Sequence, residues 1–134
     1  MAQCVWGEEV ISLHGIPFPV SKNALHVPVR CGRFTKMVRS KKAKIRGAEI
    51  VAHIWKALGV IREPLHTRPV RVEVWITPPD CRHRDYMNSL EHLFDCLQEA
   101  RVVSDDKLIV EMSGGMMPTP KRPGWCDVTV TELP

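Results

Sequence analysis

Residues 70–106 read VRVEVWITPPDCRHRDYMNSLEHLFDCLQEARVVSDD, and this stretch decides the fold. Its first eight residues carry valine or isoleucine at every second position, which predicts a strand at residues 70–77 with one buried face. Two prolines then end the strand. Apolar side chains recur at helical spacing over residues 86–101, which predicts a helix packed on the sheet. The stretch therefore indicates a layered arrangement of strands and helices.

The remaining elements follow from turn residues and from apolar periodicity. Ser40 is a suitable N-cap and Gly59 a suitable end for a first helix, whose predicted buried stripe runs from Ala48 to Leu58. Gly32 predicts the turn of a hairpin. Glycine and proline predict a flexible loop over residues 113–124. Further strands are predicted at residues 10–13, 25–30, 34–38, 107–111 and 127–133.

The resulting order, βββαβαββ, predicts an α+β fold: a single domain over residues 1–134, with a mixed β-sheet and two main helices packed on it. The chain is 44% hydrophobic and 25% charged, which suits a folded domain. It has no apolar run of membrane-spanning length and no signal-peptide pattern, so we expect a cytoplasmic protein without a membrane partner. Five cysteines without a Cys-x-x-Cys pair favour reduced thiols.

Positive charge is concentrated in one segment, although the net charge is only +4. No acidic residue occurs between Glu9 and Glu49. A basic cluster of this kind is typical of a polyanion-binding surface, because each neutralised phosphate releases condensed counterions. The alternative, a basic structural domain with no nucleic-acid role, leaves the cluster unexplained. The cluster comprises Arg30, Arg33, Lys36, Arg39, Lys41, Lys42, Lys44 and Arg46.

Carboxylates bracket the second predicted helix. Asp85 directly precedes it, where an aspartate commonly serves as an N-cap. Asp105 and Asp106 follow it in a turn, where a pair of aspartates is also common. Carboxylate ligands for a hard cation, beside positive charge, are also what metal-dependent phosphodiester hydrolysis requires. The two acidic positions would meet only if the chain returned close to its origin. His83 and His92 show no metal-ligand spacing, and we expect them at surface or half-buried positions.

Four sequence segments together indicate a protein family. None of them is specific alone, but their order and spacing are. They are Ile16-Pro17-Phe18-Pro19 with Ser21-Lys22-Asn23, Arg84-Asp85-Tyr86-Met87-Asn88, Ala100-Arg101-Val102-Val103-Ser104-Asp105-Asp106, and Val128-Thr129-Val130-Thr131-Glu132. Together they resemble, over essentially the full chain, the RusA-type Holliday junction resolvases, small endonucleases of bacteria and their prophages. The first three are similar to that family's Pro-Pro-Ser-x-Asn loop, Arg-Asp-x-Asp-Asn signature and Ala-Gly-x-x-x-Asp-Asp segment.

The resemblance implies a homodimer that binds four-way DNA junctions and nicks two strands symmetrically with Mg²⁺, or with Mn²⁺ as a substitute, in recombination and repair. By position, Asp85 and Asp106 would be catalytic metal ligands, with Asp105 as a further candidate ligand. Arg84 would hold DNA near the scissile phosphate. The other positions expected to contact DNA are Arg82, Asn88, Arg33, Lys36, Arg39, Lys41, Lys42, Lys44 and Arg46.

Two positions depart from the family pattern. Met87 replaces the second signature aspartate, and Glu91 replaces a lysine expected near the active site. A thioether is a poor ligand for Mg²⁺, so Met87 is expected to pack on the apolar stripe of the helix. Glu91 lies one turn further on, and its side chain leans back toward position 87. It is therefore a candidate replacement ligand, the alternative being a solvated surface glutamate.

The departure at Met87 leaves a rival function open. A protein of the same fold could bind junctions or other branched DNA after losing cleavage, because binding depends chiefly on arginine and lysine contacts to phosphate. The sequence thus predicts a junction-specific endonuclease first and a branched-DNA-binding protein second.

Overall fold

A five-stranded mixed sheet, covered on one face by two helices, organises the chain in the computed structural model, which describes residues 2–5 and 8–134 and the side chains from residue 10 onward. The helices and strands correspond closely to the predicted α+β arrangement. They are β1 (Ala2–Val5), β2 (Glu8–Pro17), β3 (His26–Cys31), β4 (Phe34–Arg39), α1 (Lys41–Leu58), β5 (Val70–Thr77), α2 (Tyr86–Glu99), β6 (Ile109–Met116) and β7 (Trp125–Glu132).

The strand order is β1-β2-β7-β5-β6, and only the β5–β6 pair is parallel. Helix α2 is the crossover between those two parallel strands. The connection between two parallel strands has to return along the full length of the strands, so the helix begins near one end of the strands and ends near the other. The two ends of α2 are therefore far apart.

The core lies between the sheet and the helices. The predicted alternation in β5 is confirmed, since Val70, Val72, Val74 and Ile76 are buried while the intervening side chains are exposed. On α2, Leu90, Leu93 and Leu97 complete the buried stripe that was predicted. Burial of each such side chain contributes roughly 1.5–3 kcal/mol relative to exposure.

The buried stripe of α1 differs from the predicted one. Val51 and Ile54 are buried as predicted, but Ala48 is exposed, and the stripe continues instead through Ala43, Gly47 and Ile50. Gly47 explains this rotation, because a Cβ there would lie 3.3 Å from Nε2 of His92 on α2. The two helices approach each other at this glycine. The predicted caps are confirmed: the Ser40 side chain accepts a hydrogen bond from the Ala43 N–H, and Gly59 ends α1 with φ 84°.

Several predicted boundaries were wrong. Strand β1 was not predicted, and β2 extends through Ile16 and Pro17, which had been placed in a loop. Helix α2 ends at Glu99, since Arg101 adopts a positive φ of 66°. Residues 113–116 belong to β6 rather than to a loop, and β6 begins at Ile109 rather than at residue 107, because residues 106–108 form a short 3-10 helix. Gly114 allows this, because a Cβ at that position would lie 1.9 Å from the Val74 carbonyl oxygen.

Strands β3 and β4 form the predicted hairpin, but the hairpin stands apart from the five-stranded sheet. Its base is fixed by two hydrogen bonds of Ser40: the N–H donates to the Leu25 carbonyl at 2.7 Å, and the hydroxyl donates to the Ala24 carbonyl at 2.7 Å. Leu25 is fully buried beside Val20 and Ala43. Beyond this base, the hairpin projects from the domain.

The cysteines whose side chains are described agree with the prediction of reduced thiols. Cys31, Cys81, Cys96 and Cys126 are free thiols, and the side chain of Cys4 lies outside the described residues. In the part of the chain that the structure describes, neither helix has the length and apolar character needed to cross a membrane.

Candidate functional site

A cleft of about 450 Å³ opens between the loop after β2, the first turns of α1 and the segment that leads into α2. These three regions are distant in sequence, and each contributes polar groups. The cleft brings together six of the residues predicted to bind metal or DNA, namely Lys42, Arg46, Arg82, Arg84, Asp85 and Asn88. A single carboxylate group therefore faces a ring of cations.

Asp85 has both a structural role and a free oxygen. Its Oδ1 accepts a hydrogen bond from the Met87 N–H at 3.0 Å, which makes Asp85 the N-cap of α2. Its Oδ2 accepts no hydrogen bond from the described residues. The roles of Asp85 as N-cap and as candidate metal ligand are thus compatible, because one oxygen caps the helix while the other remains available in the cleft.

Arg84 is held in a defined orientation at the cleft. One of its Nη atoms donates to Oδ1 of Asp80 at 2.6 Å, and its guanidinium lies 5.5 Å from the centre of the Phe18 ring. The hydrogen bond from Arg84 lowers the pKa of Asp80 to about 2, and the Arg82 N–H contributes in the same direction. Asp80 therefore stays ionised at neutral pH and keeps Arg84 in place. Sequence analysis did not identify Asp80 as this positioning residue.

The loop after β2 is attached to both helices. The Val20 N–H donates to Nδ1 of His92 at 2.9 Å, and Arg46 donates to the Phe18 carbonyl at 2.7 Å. His92 is fully buried, not half-buried as predicted. Burial, followed by the charge of Arg39, lowers the pKa of His92, so the neutral ring can accept the Val20 hydrogen bond. Its position on the buried stripe, between Ser89 and Cys96, was the available sequence signal.

Asp105 and Asp106 lie at the other end of α2. The Asp106 N–H donates to Oε1 of Gln98 at 3.1 Å, and the Cα atoms of Asp85 and Gln98 are about 20 Å apart along the helix. The Lys107 N–H lowers the pKa of Asp105, whereas desolvation and the neighbouring Asp105 carboxylate raise the pKa of Asp106. Within one chain, the structure therefore does not bring Asp106 to Asp85.

Met87 and Glu91 are both exposed on α2. The prediction that Met87 packs on the apolar stripe was wrong, since 53% of its surface is accessible. It lies outside the stripe because Tyr86 takes the sheet-facing position and donates to the Val74 carbonyl at 2.7 Å. Glu91 lies six residues beyond Asp85, which is about 9 Å along the helix axis. Its role as a replacement ligand stays a prediction.

The basic cluster divides into three sets. Arg30, Arg33 and Lys36 are exposed on the hairpin, while Lys41 and Lys44 are exposed on α1 outside the cleft. Arg39 is bound to Asp95 on α2 at 2.8 Å and Arg46 donates to the Phe18 carbonyl at 2.7 Å, so both contribute to packing between elements. Arg46 also lies 3.5 Å from Glu49 on the same helix. Lys42 is the member of the cluster whose charge reaches the cleft without an ion-pair partner among the described residues.

Comparisons with known proteins do not assign the chain to a family. The sequence matches no known protein-family profile, and no curated protein matches it significantly. Within the described residues, no group of three or more histidine, cysteine, aspartate or glutamate side chains is arranged to hold a metal ion. The chemistry of the site therefore has to be judged from its own residues.

The cleft is suited to binding a phosphodiester backbone. Lys42, Arg82 and Arg84 present positive charge from two sides, and arginine in particular matches the geometry of phosphate oxygens. The free oxygen of Asp85 and the side-chain oxygen of Asn88 are hard ligands. Mg²⁺ commonly uses one or two carboxylates together with substrate phosphate and water, so these two residues fit a partial Mg²⁺ site.

Proposed function

We propose that this protein is a Mg²⁺-dependent endonuclease that resembles RusA, binds four-way DNA junctions as a homodimer and nicks them symmetrically in recombination and repair. One observation carries the proposal: the cleft that places the free oxygen of Asp85 among Lys42, Arg82 and Arg84. A lone carboxylate surrounded by cations suits a phosphate that must be both bound and hydrolysed. The sequence resemblance adds the junction as the substrate.

Each group in the cleft has a distinct part in this proposal. Lys42 and Arg82 hold the phosphates that flank the scissile bond, and Arg84, fixed by Asp80, holds the scissile phosphate itself. Asp85 and Asn88 hold Mg²⁺, for which Mn²⁺ can substitute. When bound there, the metal supplies Lewis-acid stabilisation of charge on the phosphate and activates the attacking water. Phe18 and Pro19 form an apolar wall that limits access of bulk water.

The second carboxylate comes from the partner subunit in this proposal. Asp106 is too far from Asp85 for one ion to bind both within a chain, because oxygen ligands lie about 2.0–2.1 Å from Mg²⁺. A homodimer with twofold symmetry can place Asp106 of one subunit beside Asp85 of the other, and it does so twice. Two such composite sites would also explain two symmetric nicks.

Binding to branched DNA without cleavage is the second candidate function. The exposed Met87 supports it, since the position two residues after Asp85 lacks an oxygen ligand. The cationic cleft and the basic hairpin are unaffected by this loss. Binding and cleavage are thus separable, and the experiment has to measure both.

The test incubates the purified protein with end-labelled four-way junction or linear duplex, with Mg²⁺, with Mn²⁺ or with neither. The proposed endonuclease gives paired nicks at symmetric positions in the junction, only with metal, and Asp85→Asn abolishes them. Selective retention of the junction without nicks at either metal supports the second candidate. Equal affinity for junction and duplex would contradict both.

A further inference from the structure

The tip of the β3–β4 hairpin carries an aromatic side chain that the fold does not use. Phe34 is 79% exposed, the most exposed of the large hydrophobic side chains among the described residues. It pairs with Cys31 across the turn, whose Gly32 has φ 60°. Leaving a phenylalanine in water forgoes a large burial free energy, so a partner surface is expected there.

The cross-strand register places Phe34 on one face of the hairpin. Directly opposed residues share a face, so Phe34 lies with Val27, Val29 and Lys36, whereas Met37 lies on the other face. Val27 and Val29 are also exposed. An isolated two-stranded hairpin is marginally stable in water, which makes this apolar face a second indication of a partner.

The charge of the hairpin identifies the partner. Arg30, Arg33 and Lys36 surround the tip, and no acidic residue occurs anywhere between Glu9 and Glu49. Two copies of this hairpin would repel each other if they packed face to face. A polyanion that also offers flat apolar surfaces is the complementary partner, and nucleic acid with unstacked bases has both properties.

Two contacts connect the base of the hairpin to the elements that form the cleft. Arg39, the last residue of β4, is bound to Asp95 on α2 at 2.8 Å. The next residue, Ser40, caps α1, whose first turn contributes Lys42 to the cleft. The fold therefore attaches the base of the hairpin beside the residues proposed to hold the phosphate backbone.

We propose that Phe34 stacks on an unstacked base at the branch point of the DNA, while Arg33 and Lys36 bind the adjoining phosphates. The inference rests on the proposed function and adds the feature of the substrate that is recognised: a base without a stacked neighbour, which a branch point offers and a continuous duplex does not. The hairpin thus supplies selectivity for branched DNA, and the cleft supplies the reaction.

Affinities of variants for junction, duplex and single-stranded DNA test this assignment at several salt concentrations. Phe34→Ala and Phe34→Leu should weaken junction binding roughly 5- to 150-fold, the range for loss of one base–aromatic stack, while Phe34→Trp retains it. Duplex affinity should be unchanged. The salt dependence should also be unchanged for Phe34→Ala, whereas Arg33→Ala with Lys36→Ala should reduce its slope by about two. Met37→Ala, on the opposite face, is the matched control.

Three results would overturn the inference. Phe34→Ala could bind the junction as tightly as the wild type, or weaken duplex binding equally. It could also dissociate a dimer in sedimentation experiments while Phe34→Leu preserves it, which would assign the hairpin to contact between subunits. A wild-type protein that neither prefers junctions nor cleaves them would refute the proposed function alone. In that case, single-stranded DNA decides the inference: equal binding by wild type and Phe34→Ala refutes it, and weaker binding by the variant supports it.

Discussion

Met87 occupies the position where the resemblance to RusA predicts a second aspartate, although its side chain does not line the cleft. It lies in the first turn of α2, two residues after Asp85, and most of its side chain is free of packing contacts. We predict that Met87→Asp increases the rate of Mg²⁺-dependent nicking by about tenfold or more, because a second carboxylate beside Asp85 strengthens metal binding. Nicking rates over a Mg²⁺ titration provide the measurement.

Met87→Asn is the matched control for this substitution, since asparagine has nearly the same size and shape as aspartate but adds no charge. An equal gain in both variants would mean that the carboxylate is not what the site lacks. Glu91→Gln, measured in the same titration, tests whether Glu91 contributes a ligand. An unchanged rate in that variant would leave Glu91 as a solvated surface residue.

At the residue scale, local interactions were predictable and tertiary ones were not. The caps at Ser40, Asp85 and Gly59 depend on neighbours within a few residues, so sequence pattern identified them. Arg39 was assigned to DNA, yet it is bound to Asp95, which is 56 positions away in the chain. No pattern in a single sequence reports such a partner.

At the element scale, the lysines on different sides of α1 are expected to contribute differently to DNA binding. Lys42 lines the cleft, whereas Lys44 lies on another side of the same helix. We expect Lys42→Ala to weaken junction binding several-fold and to reduce the slope of log affinity against log salt by about one, the value for one lost phosphate contact. Lys44→Ala should change both quantities less; equal effects would show that only total charge matters.

Helix α2 should make stability depend on pH through His92. The fold holds the neutral ring, so the pKa of His92 is lower in the folded state than the usual 6.5. Above that pH, His92 makes its full contribution to the free energy of unfolding. As the pH falls below it, the unfolded chain binds a proton first, and the free energy of unfolding decreases until the folded-state pKa is passed. Charged groups that act on the ring are Arg39, Arg46 and Asp95.

Urea unfolding at about pH 7.5 and about pH 5.5 measures this dependence. The decrease at low pH should be smaller in His92→Asn, whose Oδ1 corresponds in position to Nδ1 of the ring and can still accept the Val20 hydrogen bond. His83→Asn serves as the control, because the His83 side chain is exposed and should leave the decrease unaltered. If His92→Asn loses as much stability as the wild type, other groups are responsible for the pH dependence.

At the scale of the whole molecule, the proposed dimer makes a prediction that a monomeric site does not. Asp85→Asn and Asp106→Asn should each be inactive alone. When the two variants are mixed and allowed to exchange subunits, a mixed dimer regains one intact composite site, with Asp85 from one chain and Asp106 from the other. Roughly a quarter of the wild-type sites should then be active, if subunits pair at random.

The measurement is single-strand nicking of a junction by the mixture, and sedimentation establishes the dimer. Sites built within one chain would give no recovery, because each mixed dimer would then hold one defective residue in both sites. A mixture of Asp85→Asn with itself, treated identically, controls for residual activity. This outcome separates a composite site from a site made by Asp85 alone.

Sequence patterns predicted the layers of the molecule better than its connections. The alternation in β5 and the apolar stripe of α2 were sufficient to predict an α+β sheet with helices on one face. They did not reveal that β6 runs parallel to β5, which makes α2 a crossover and separates Asp85 from Asp106. Strand direction depends on which neighbour pairs, and that is decided by contacts distant in sequence.

The isolation of the hairpin has a consequence for how this protein can change over time. Its side chains add little to the hydrophobic core, so we expect mutations there to have little effect on folding. Residues 26–38 could be exchanged for a different pair of strands while Leu25, Arg39 and Ser40 keep the attachment. New substrate preferences could arise in this segment without disturbing the residues of the cleft.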